Sequence, residues 1–272
     1  MKLSIAIASE NALPEAFVVF RGFEESILKA SALGYDGIEL ALKNADEIDR
    51  KQLKTLLKKT GLQVSCISTG QVYSERRLMF TDSDISKIKE VKKAFKELVD
   101  LAADFGQLVN IGRVRGQIEN GDMKTSEDRF LETIYDLCNY ATPKGVSFVL
   151  EPINRYEINY INTIEEGVRL LKKAGHSNLK LMPDVFHMNI EEVKIGEELS
   201  RHNGHIGYIH LADSNRLAPG WGHTDFDDIF THLRKAKYEG WLSIEILPKP
   251  EPFVAAKQAI EFLKPFINKS IN

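Results

Sequence analysis

The sequence has little of what marks membrane, secreted or nucleic-acid-binding proteins. Two cysteines among 272 residues are too few for a disulfide framework and fit a reducing compartment. Lysine and arginine number 36 against 39 acids, a net charge of −3, so the broad positive field that attracts nucleic acid is missing. The first apolar run stops at Glu10, well short of the ~20 residues that span a membrane and of a signal-peptide core. These absences favour a cytoplasmic protein that binds neither nucleic acid nor membrane.

What the sequence does contain is a regular alternation of short apolar runs and longer amphipathic stretches. The predicted strands are Leu3–Ser9, Gly37–Ala41, Gln63–Thr69, Leu108–Gly112, Ser147–Pro152, Leu179–Val185, His205–Ala212 and Trp241–Leu247. The predicted helices are Phe17–Leu33, Glu47–Thr60, Asp82–Phe105, Ser126–Ala141, Thr163–Ala174, a weak stretch near Ile195–Ser200, Phe226–Ala236 and Phe253–Phe266. Apolar strands separated by helices imply a parallel sheet that is covered on its faces.

Eight such units in this length favour a closed barrel over an open doubly wound sheet. No Gly-x-Gly-x-x-Gly follows the first strand, so a dinucleotide-binding fold loses its main support. The sequence also lacks a linker or a shift in composition that would mark a domain boundary. We therefore predict an α/β protein with a single (β/α)8 TIM-barrel domain over residues 1–272.

Individual residues indicate where several helices begin. Thr81 or Asp82 is the expected start of the third helix. Thr163, with Glu166 three residues on, matches a capping box. Asp225 is the expected cap of the helix that begins near Phe226, because a side-chain oxygen at that position accepts a backbone N–H of the first turn.

The last four predicted strands each end in an acid or a histidine, although a barrel strand should end in an apolar residue unless its carboxyl-terminal face is used. These residues are Glu151, Asp184, His210 and Glu245. One such acid more often caps a helix or pairs with a base, but four at equivalent positions favour a shared site. Three carboxylates and one imidazole suit a divalent cation, and this oxygen-rich set favours Mn²⁺, Mg²⁺ or Co²⁺ over structural zinc.

Five motifs follow these strands in order: Glu-Pro with Asn-Arg-Tyr-Glu from Glu151, Asp with Phe-His-Met-Asn from Asp184, His-Leu-Ala-Asp-Ser-Asn-Arg from His210, Gly-His-x-Asp-Phe from Gly222, and Ser-Ile-Glu ending at Glu245. The series resembles the xylose-isomerase-like TIM barrels. Within them it is most similar to ketose 3-epimerases of the D-tagatose or D-psicose type and related keto-sugar-acid epimerases. The resemblance implies an isomerase that acts on a small sugar and forms a homodimer or homotetramer.

The resemblance also implies roles for the four strand-end residues. Glu151, Asp184, His210 and Glu245 would hold the metal, with Mn²⁺ as the expected ion, and Glu151 and Glu245 would also be the catalytic acid and base. A cation chelated by the C2 carbonyl and the C3 hydroxyl would stabilise a cis-enediolate. One glutamate would remove the C3 proton and the other would return one to the opposite face. If the proton moved between C1 and C2 instead, the same residues would make an aldose–ketose isomerase.

Further residues are expected to contact the sugar. Glu157, His187 and Arg216 match positions that contact it near O1 and O2 in the family. Cys66, near the end of the third predicted strand, is placed to line the sugar pocket.

Two arginines after the fourth predicted strand are not typical of simple ketohexose epimerases. Arg113 and Arg115 stand in Gly-Arg-Val-Arg-Gly, where one of them is expected to face inward and the other to be solvated. An inward arginine could clamp a carboxylate or phosphate with two hydrogen bonds. A keto-sugar acid such as a ketogluconate therefore remains open beside a neutral ketohexose. The role of His223, in the loop before Asp225, is also open.

Two other classes of protein share parts of this pattern. Nucleases of the endonuclease IV type use extra histidines after the third and fourth strands, but residues 68–70 and 111–113 contain none. A non-catalytic sugar-binding barrel would need no pair of carboxylates beside the metal. The sequence therefore predicts a metal-dependent 3-epimerase of a ketose or keto-sugar acid, with an aldose–ketose isomerase as the alternative.

Overall fold

The protein folds as a barrel of parallel strands. The computed structural model describes residues 1–13, 16–119 and 121–268. The barrel strands are β1 Lys2–Ala8, β2 Gly37–Ala41, β3 Gln63–Ser68, β4 Leu108–Ile111, β5 Ser147–Leu150, β6 Leu179–Leu181, β7 Ile209–Leu211 and β8 Trp241–Ile244. They lie side by side in the order β6-β5-β4-β3-β2-β1-β8-β7. Parallel bridges from Leu181 to Ile206 and from Asp184 to His210 join the two outer strands, so the predicted TIM barrel is confirmed.

Ten α-helices of the described residues lie between and after these strands. They are α1 Phe23–Leu33, α2 Arg50–Thr60, α3 Gly70–Ser74, α4 Ile85–Asp104, α5 Met123–Ala141, α6 Ile164–Ala174, α7 Val185–Glu191, α8 Ile195–Arg201, α9 Phe226–Lys235 and α10 Pro252–Asn268. Within the described ranges, none of these helices combines the length and the apolar character needed to cross a bilayer.

Several predicted helix ends are confirmed by hydrogen bonds. Thr163 and Glu166 form the expected capping box at α6, and Asp225 accepts the Asp228 N–H at α9. Gly34 ends α1 in the left-handed region, with φ 84°, a conformation that glycine adopts without the steric penalty of a Cβ.

The first helix was predicted to begin at Phe17, which is wrong. It begins at Phe23, because Phe20 and Arg21 instead form a two-residue parallel strand against Ile7 and Ala8 of β1. Phe17 therefore precedes α1, and it forms part of a cavity wall with Ala16 and Val18.

Two other predicted helices also differ from the structure. The helix expected from Thr81 or Asp82 begins at Ile85, because Asp84 caps it by accepting the Ser86 N–H; the Thr81 hydroxyl instead bonds the backbone of residue 117. The strand expected through Val185 ends at Leu181, and α7 follows it. The apolar run around Asp184 predicts a continuous strand, but Val185 and Phe186 at its end begin a short helix.

Alternation along the strands determines which side chains face into the barrel. In β5, Phe148 and Leu150 pack outward in the main apolar core, while Val149 packs with Cys66, Met182 and Tyr208 in a separate buried cluster. Side chains two residues apart share a face of a strand, so Glu151 faces the same way as Val149. Glu151 therefore belongs to the acidic carboxyl-terminal edge of the barrel interior, and the cluster around Val149 lies below it.

Candidate active site

The four predicted ligands come together at the carboxyl-terminal edge of the barrel. Glu151 follows β5, Asp184 caps α7 after β6, His210 lies in β7 and Glu245 follows β8. Each offers one ligand atom, and these atoms all lie within 4.8 Å of one another. Asp184 and His210 have no exposed surface, and Glu151 is 6% exposed. Asp184 therefore both caps a helix and belongs to the cluster. A strand-end acid can thus serve as a helix cap and as part of a shared site at the same time.

Two buried atoms of this cluster support its fit to a cation. Within the part of the chain that the structure describes, Asp184 Oδ2 and His210 Nδ1 have no hydrogen-bond partner, although Asp184 Oδ2 forms an ion pair with Arg216. His210 Nδ1 lies 3.6 Å from Glu151 Oε1 and 3.6 Å from Glu245 Oε2. A buried polar atom without a partner costs about 1–3 kcal/mol. A divalent cation would satisfy both atoms, and carboxylate oxygens with an imidazole nitrogen are ligands that such ions accept.

The electrostatics of the cluster also support its fit to a cation. Burial raises the pKa of Glu151, Asp184 and Glu245 above the ordinary carboxyl range, and each of these groups also feels a neighbouring carboxylate. Burial alone would lower the pKa of His210, but the negative charges of Glu39 and Glu245 raise it well above its usual range. The site therefore has an affinity for positive charge, either protons or a metal ion.

His210 is held from behind by a carboxylate that sequence reasoning missed. Its Nε2 lies 2.9 Å from Oε2 and 3.1 Å from Oε1 of Glu39, which is fully buried in β2. Burial acts to raise the pKa of Glu39, but the charge and hydrogen bond of His210 outweigh this and lower it. One signal could have indicated Glu39: it is an acid inside the otherwise apolar strand Gly37–Ala41.

His187 stands beside the cluster in a defined protonation state. Its Nδ1 lies 2.7 Å from Asn154 Nδ2, and because an amide nitrogen donates, Nδ1 is assigned as the acceptor. The proton is then on Nε2, which lies 3.8 Å from Glu151 Oε1 and 3.8 Å from Asp184 Oδ2. Burial and the positive charge of Arg216 lower the pKa of His187 well below its usual range. A neutral His187 therefore presents an N–H toward the cluster.

Arg216 closes the other side of the cluster. Its Nη1 lies 2.8 Å from Asp184 Oδ2, an ion pair without an aligned hydrogen bond, and its Nη2 donates to Glu245. The guanidinium lies between the rings of Phe17 and Phe186, with centroid distances of 4.5 and 4.7 Å. Arg216 has φ 62°, a value that is uncommon for a non-glycine residue and that concentrates at functional sites.

Asp213 maintains the loop that carries Arg216. Its Oδ1 accepts the N–H groups of Ser214 and Thr224, and its Oδ2 accepts that of Gly220. Burial acts to raise the pKa of Asp213, but these backbone donors lower it overall. The loop is thus ordered around a buried carboxylate. His223 is exposed in this loop and lies outside the cavity wall.

A cavity that is open to solvent lies above the cluster. The predicted contact residues Glu157, His187, Arg216 and Arg113 all line it, together with Glu151 and Glu245. The Arg113 guanidinium lies 5.6 Å from the centre of the Tyr73 ring. The described residues include no carboxylate paired with Arg113.

Two sequence-based expectations about the cavity wall are wrong. Cys66 does not line the cavity. Ser68 lines it instead, and Cys66, which precedes Ser68 by two residues on the same face of β3, is fully buried one layer deeper in the barrel. One of Arg113 and Arg115 is expected to be solvated, but Arg113 lines the cavity and Arg115 is fully buried. Arg115 donates to the backbone carbonyls of Glu151, Tyr160 and Ile161, so it supports the loop after β5.

Comparison with known proteins identifies the family of this chain. The family model described as xylose isomerase-like TIM barrel matches residues 27–266. The chain belongs to the xylose isomerase-like TIM barrel family. A curated relative, the D-psicose 3-epimerase of Ruminiclostridium cellulolyticum, is 31% identical over 228 residues, 80% of this chain and 76% of the relative. The 3-dehydro-D-guloside 4-epimerase of Escherichia coli is 28% identical over 267 residues, 89% and 95% of the two chains.

Solved structures show the same fold. D-allulose 3-epimerase from Methylomonas sp. in complex with D-allulose superposes with a TM-score of 0.82 at 24% identity, covering 97% of this chain and 96% of that one. The named relatives are sugar epimerases, which are isomerases, so the predicted enzyme class is confirmed at the level of the family. The resemblance stated from the motifs between Glu151 and Glu245 is confirmed too.

Proposed function

We propose that this protein is a divalent-metal-dependent epimerase that inverts C3 of a ketose or keto-sugar acid, with Mn²⁺ as the ion. The observation that carries the proposal concerns Glu151 and Glu245. Both line the cavity, both have a pKa raised by burial, and both offer an oxygen to the same cluster. A carboxylate with a raised pKa is a stronger base, which suits it to move a proton at neutral pH.

Glu151, Asp184, His210 and Glu245 would hold the metal. When bound, it polarises the ketone and makes the neighbouring C–H more acidic. One glutamate removes the C3 proton as a base. The other, as an acid, returns a proton to the opposite face of the carbon and so inverts it. The handedness of the substrate decides which glutamate acts first.

Three neighbouring side chains orient the sugar. His187 presents its Nε2–H to the cavity, and Arg216 is held in reach by Phe17 and Phe186. Both are donors to O2, where negative charge develops when the C3 proton leaves. Glu157, which accepts a hydrogen bond from Asn154 Nδ2 at 3.1 Å, accepts one from the O1 hydroxyl. Positioning of this kind holds the reacting carbon close to the base.

The test is proton exchange with solvent. The Mn²⁺-loaded protein is incubated in D₂O with a panel of ketohexoses, pentuloses and ketogluconates, and deuterium is followed by NMR. Label at C3 of a converted ketose is the expected result. Label at C1 or C2 would instead identify an aldose–ketose isomerase. Label at C4 would identify a 4-epimerase, the activity for which the E. coli relative is named. Absence of label and turnover across the panel, with and without Mn²⁺, would contradict the proposal and favour a sugar-binding barrel.

A further inference from the structure

Glu39 is a buried acid for which the proposed proton transfer has no direct use. It stands in the middle of β2, in register with Ala6 of β1 and Cys66 of β3, and has no exposed surface. It does not line the cavity. A carboxylate in such a place is retained only when partners compensate for its loss of water.

The partners of Glu39 come from the opposite side of the barrel. Tyr208 donates its hydroxyl to Glu39 Oε2 at 2.9 Å, and His210 Nε2 approaches both carboxylate oxygens at 2.9 and 3.1 Å. The Tyr208 hydroxyl in turn lies 3.1 Å from Ser4 Oγ and 2.6 Å from Ser65 Oγ. We define Glu39, Tyr208, Ser4 and Ser65 as the barrel network. It connects β1, β2 and β3 with the segment that enters β7.

The contact with Glu39 determines which nitrogen of His210 carries the proton. A carboxylate only accepts, so Nε2 is the protonated nitrogen of a neutral His210. When a cation displaces the second proton of His210, that proton leaves Nδ1, which lacks a hydrogen-bond partner among the described residues and faces Glu151 and Glu245. A metal-binding imidazole requires such an unprotonated nitrogen.

We propose that Glu39 is a positioning residue: it accepts the Nε2–H of His210, holds the imidazole with Nδ1 toward Glu151 and Glu245, and so sets the affinity of the site for a divalent cation. The inference rests on the proposed function, because it presumes that the cluster binds a cation. Glu39 does not touch the substrate or the ion. Its charge makes the imidazole a stronger ligand, and its two oxygens, which share the Nε2–H, maintain the ring orientation.

The test compares two nearly isosteric variants of the barrel network. Glu39→Gln keeps the volume but removes the charge that His210 faces. The matched control, Tyr208→Phe, removes the other donor to Glu39 and leaves the His210 contact intact. Mn²⁺ affinity of each metal-free protein is measured by titration calorimetry, and the melting temperature without metal reports folding. We expect Glu39→Gln to weaken Mn²⁺ binding about 10–100-fold and Tyr208→Phe to weaken it much less.

A second measurement needs no substitution. In the wild-type protein loaded with diamagnetic Mg²⁺, ¹⁵N NMR of the histidine side chains should show His210 with a protonated Nε2 and an unprotonated Nδ1. The opposite assignment would overturn the inference even if Glu39→Gln failed to fold. Unchanged Mn²⁺ affinity in a folded Glu39→Gln protein, or equal losses in the two variants, would overturn it as well. A wild-type protein that binds none of Mn²⁺, Mg²⁺ and Co²⁺ would instead contradict the proposed function, and the inference with it.

Discussion

The two halves of the barrel mouth contribute different side chains to one cavity. Strands β5–β8 and the loops after them supply the ionisable groups of the cavity wall and of the cluster beneath it: Glu151, Glu157, Asp184, His187, His210, Arg216 and Glu245. Strands β1–β4 and their loops supply mainly small or uncharged wall residues, among them Ala6, Phe17, Ala41, Ser68, Asn110 and Gly112. Of the described residues in the wall, Arg113 is the one charged side chain from the first half.

The comparison indicates that the small wall residues of β1–β4 and their loops leave room beside the ionisable groups of β5–β8. Gly112 illustrates this most directly, because a Cβ at that position would lie 2.9 Å from Glu151 Oε2. A side chain there would push on a group of the proposed metal site. Small residues on one side and acids on the other are therefore two parts of one arrangement.

The largest expected loss of activity comes from substituting an acid of the second half, strands β5–β8 and their loops. Glu151→Gln or Glu245→Gln keeps the size of the side chain but removes its ability to take a proton, so we expect kcat to fall by about 10²–10⁴. The measurement is turnover of the best substrate at saturating Mn²⁺, with bound metal quantified. Ser68→Ala, a wall residue of the first half, is the matched control and should change kcat little. Comparable losses in both halves would remove the distinction between them.

The cluster of Glu151, Asp184, His210 and Glu245 should also bind metal in a pH-dependent way. Burial raises the pKa of Glu151, Asp184 and Glu245, and neighbouring acids raise that of His210. Protons therefore stay on these groups to higher pH than usual, and a cation has to displace them. Mn²⁺ affinity should consequently fall on acidification, by about tenfold per pH unit for each proton displaced. Calorimetry between about pH 7.5 and about pH 5.5 checks this, and constant affinity across that range would show that no such protons compete.

The smallest effect is expected from the first half and depends on the substrate. Arg113→Met removes the unpaired cation of the wall but keeps an apolar side chain over Tyr73. If the substrate is a sugar acid, its kcat/KM should fall about 10–100-fold, the loss of a charge-assisted hydrogen bond, while a neutral ketohexose is little affected. Equal losses on ketogluconates and ketohexoses would contradict a contact between Arg113 and an anion.

Much of the fold and the proposed ligand set could be predicted because both depend on local patterns. An acid placed directly after an apolar run, as Glu151 is, identifies a strand end, and parallel strands bring such ends to one edge. The start of α1 could not be predicted, because Phe17 and Phe20 have helical spacing while the segment pairs with β1. There the contact with the sheet prevailed over local periodicity.

The partners of single polar residues were harder to infer. Glu39 and His210 are 171 positions apart, and no spacing in the sequence indicates that they meet across the barrel. Arg115 lies two residues from Arg113, yet Arg115 is buried against three backbone carbonyls whereas Arg113 lines the cavity. Whether a charged side chain is solvated depends on backbone groups that approach it in three dimensions, as those of residues 151, 160 and 161 do here.

The central claim is that Glu151, Asp184, His210 and Glu245 surround one divalent cation. A crystal grown with Mn²⁺ and measured near the manganese absorption edge tests it most directly, through the anomalous difference map. The account predicts one dominant peak within bonding distance of a side-chain atom of all four residues, including Nδ1 of His210. A dominant peak elsewhere, or ligation that leaves out two of the four, would contradict it.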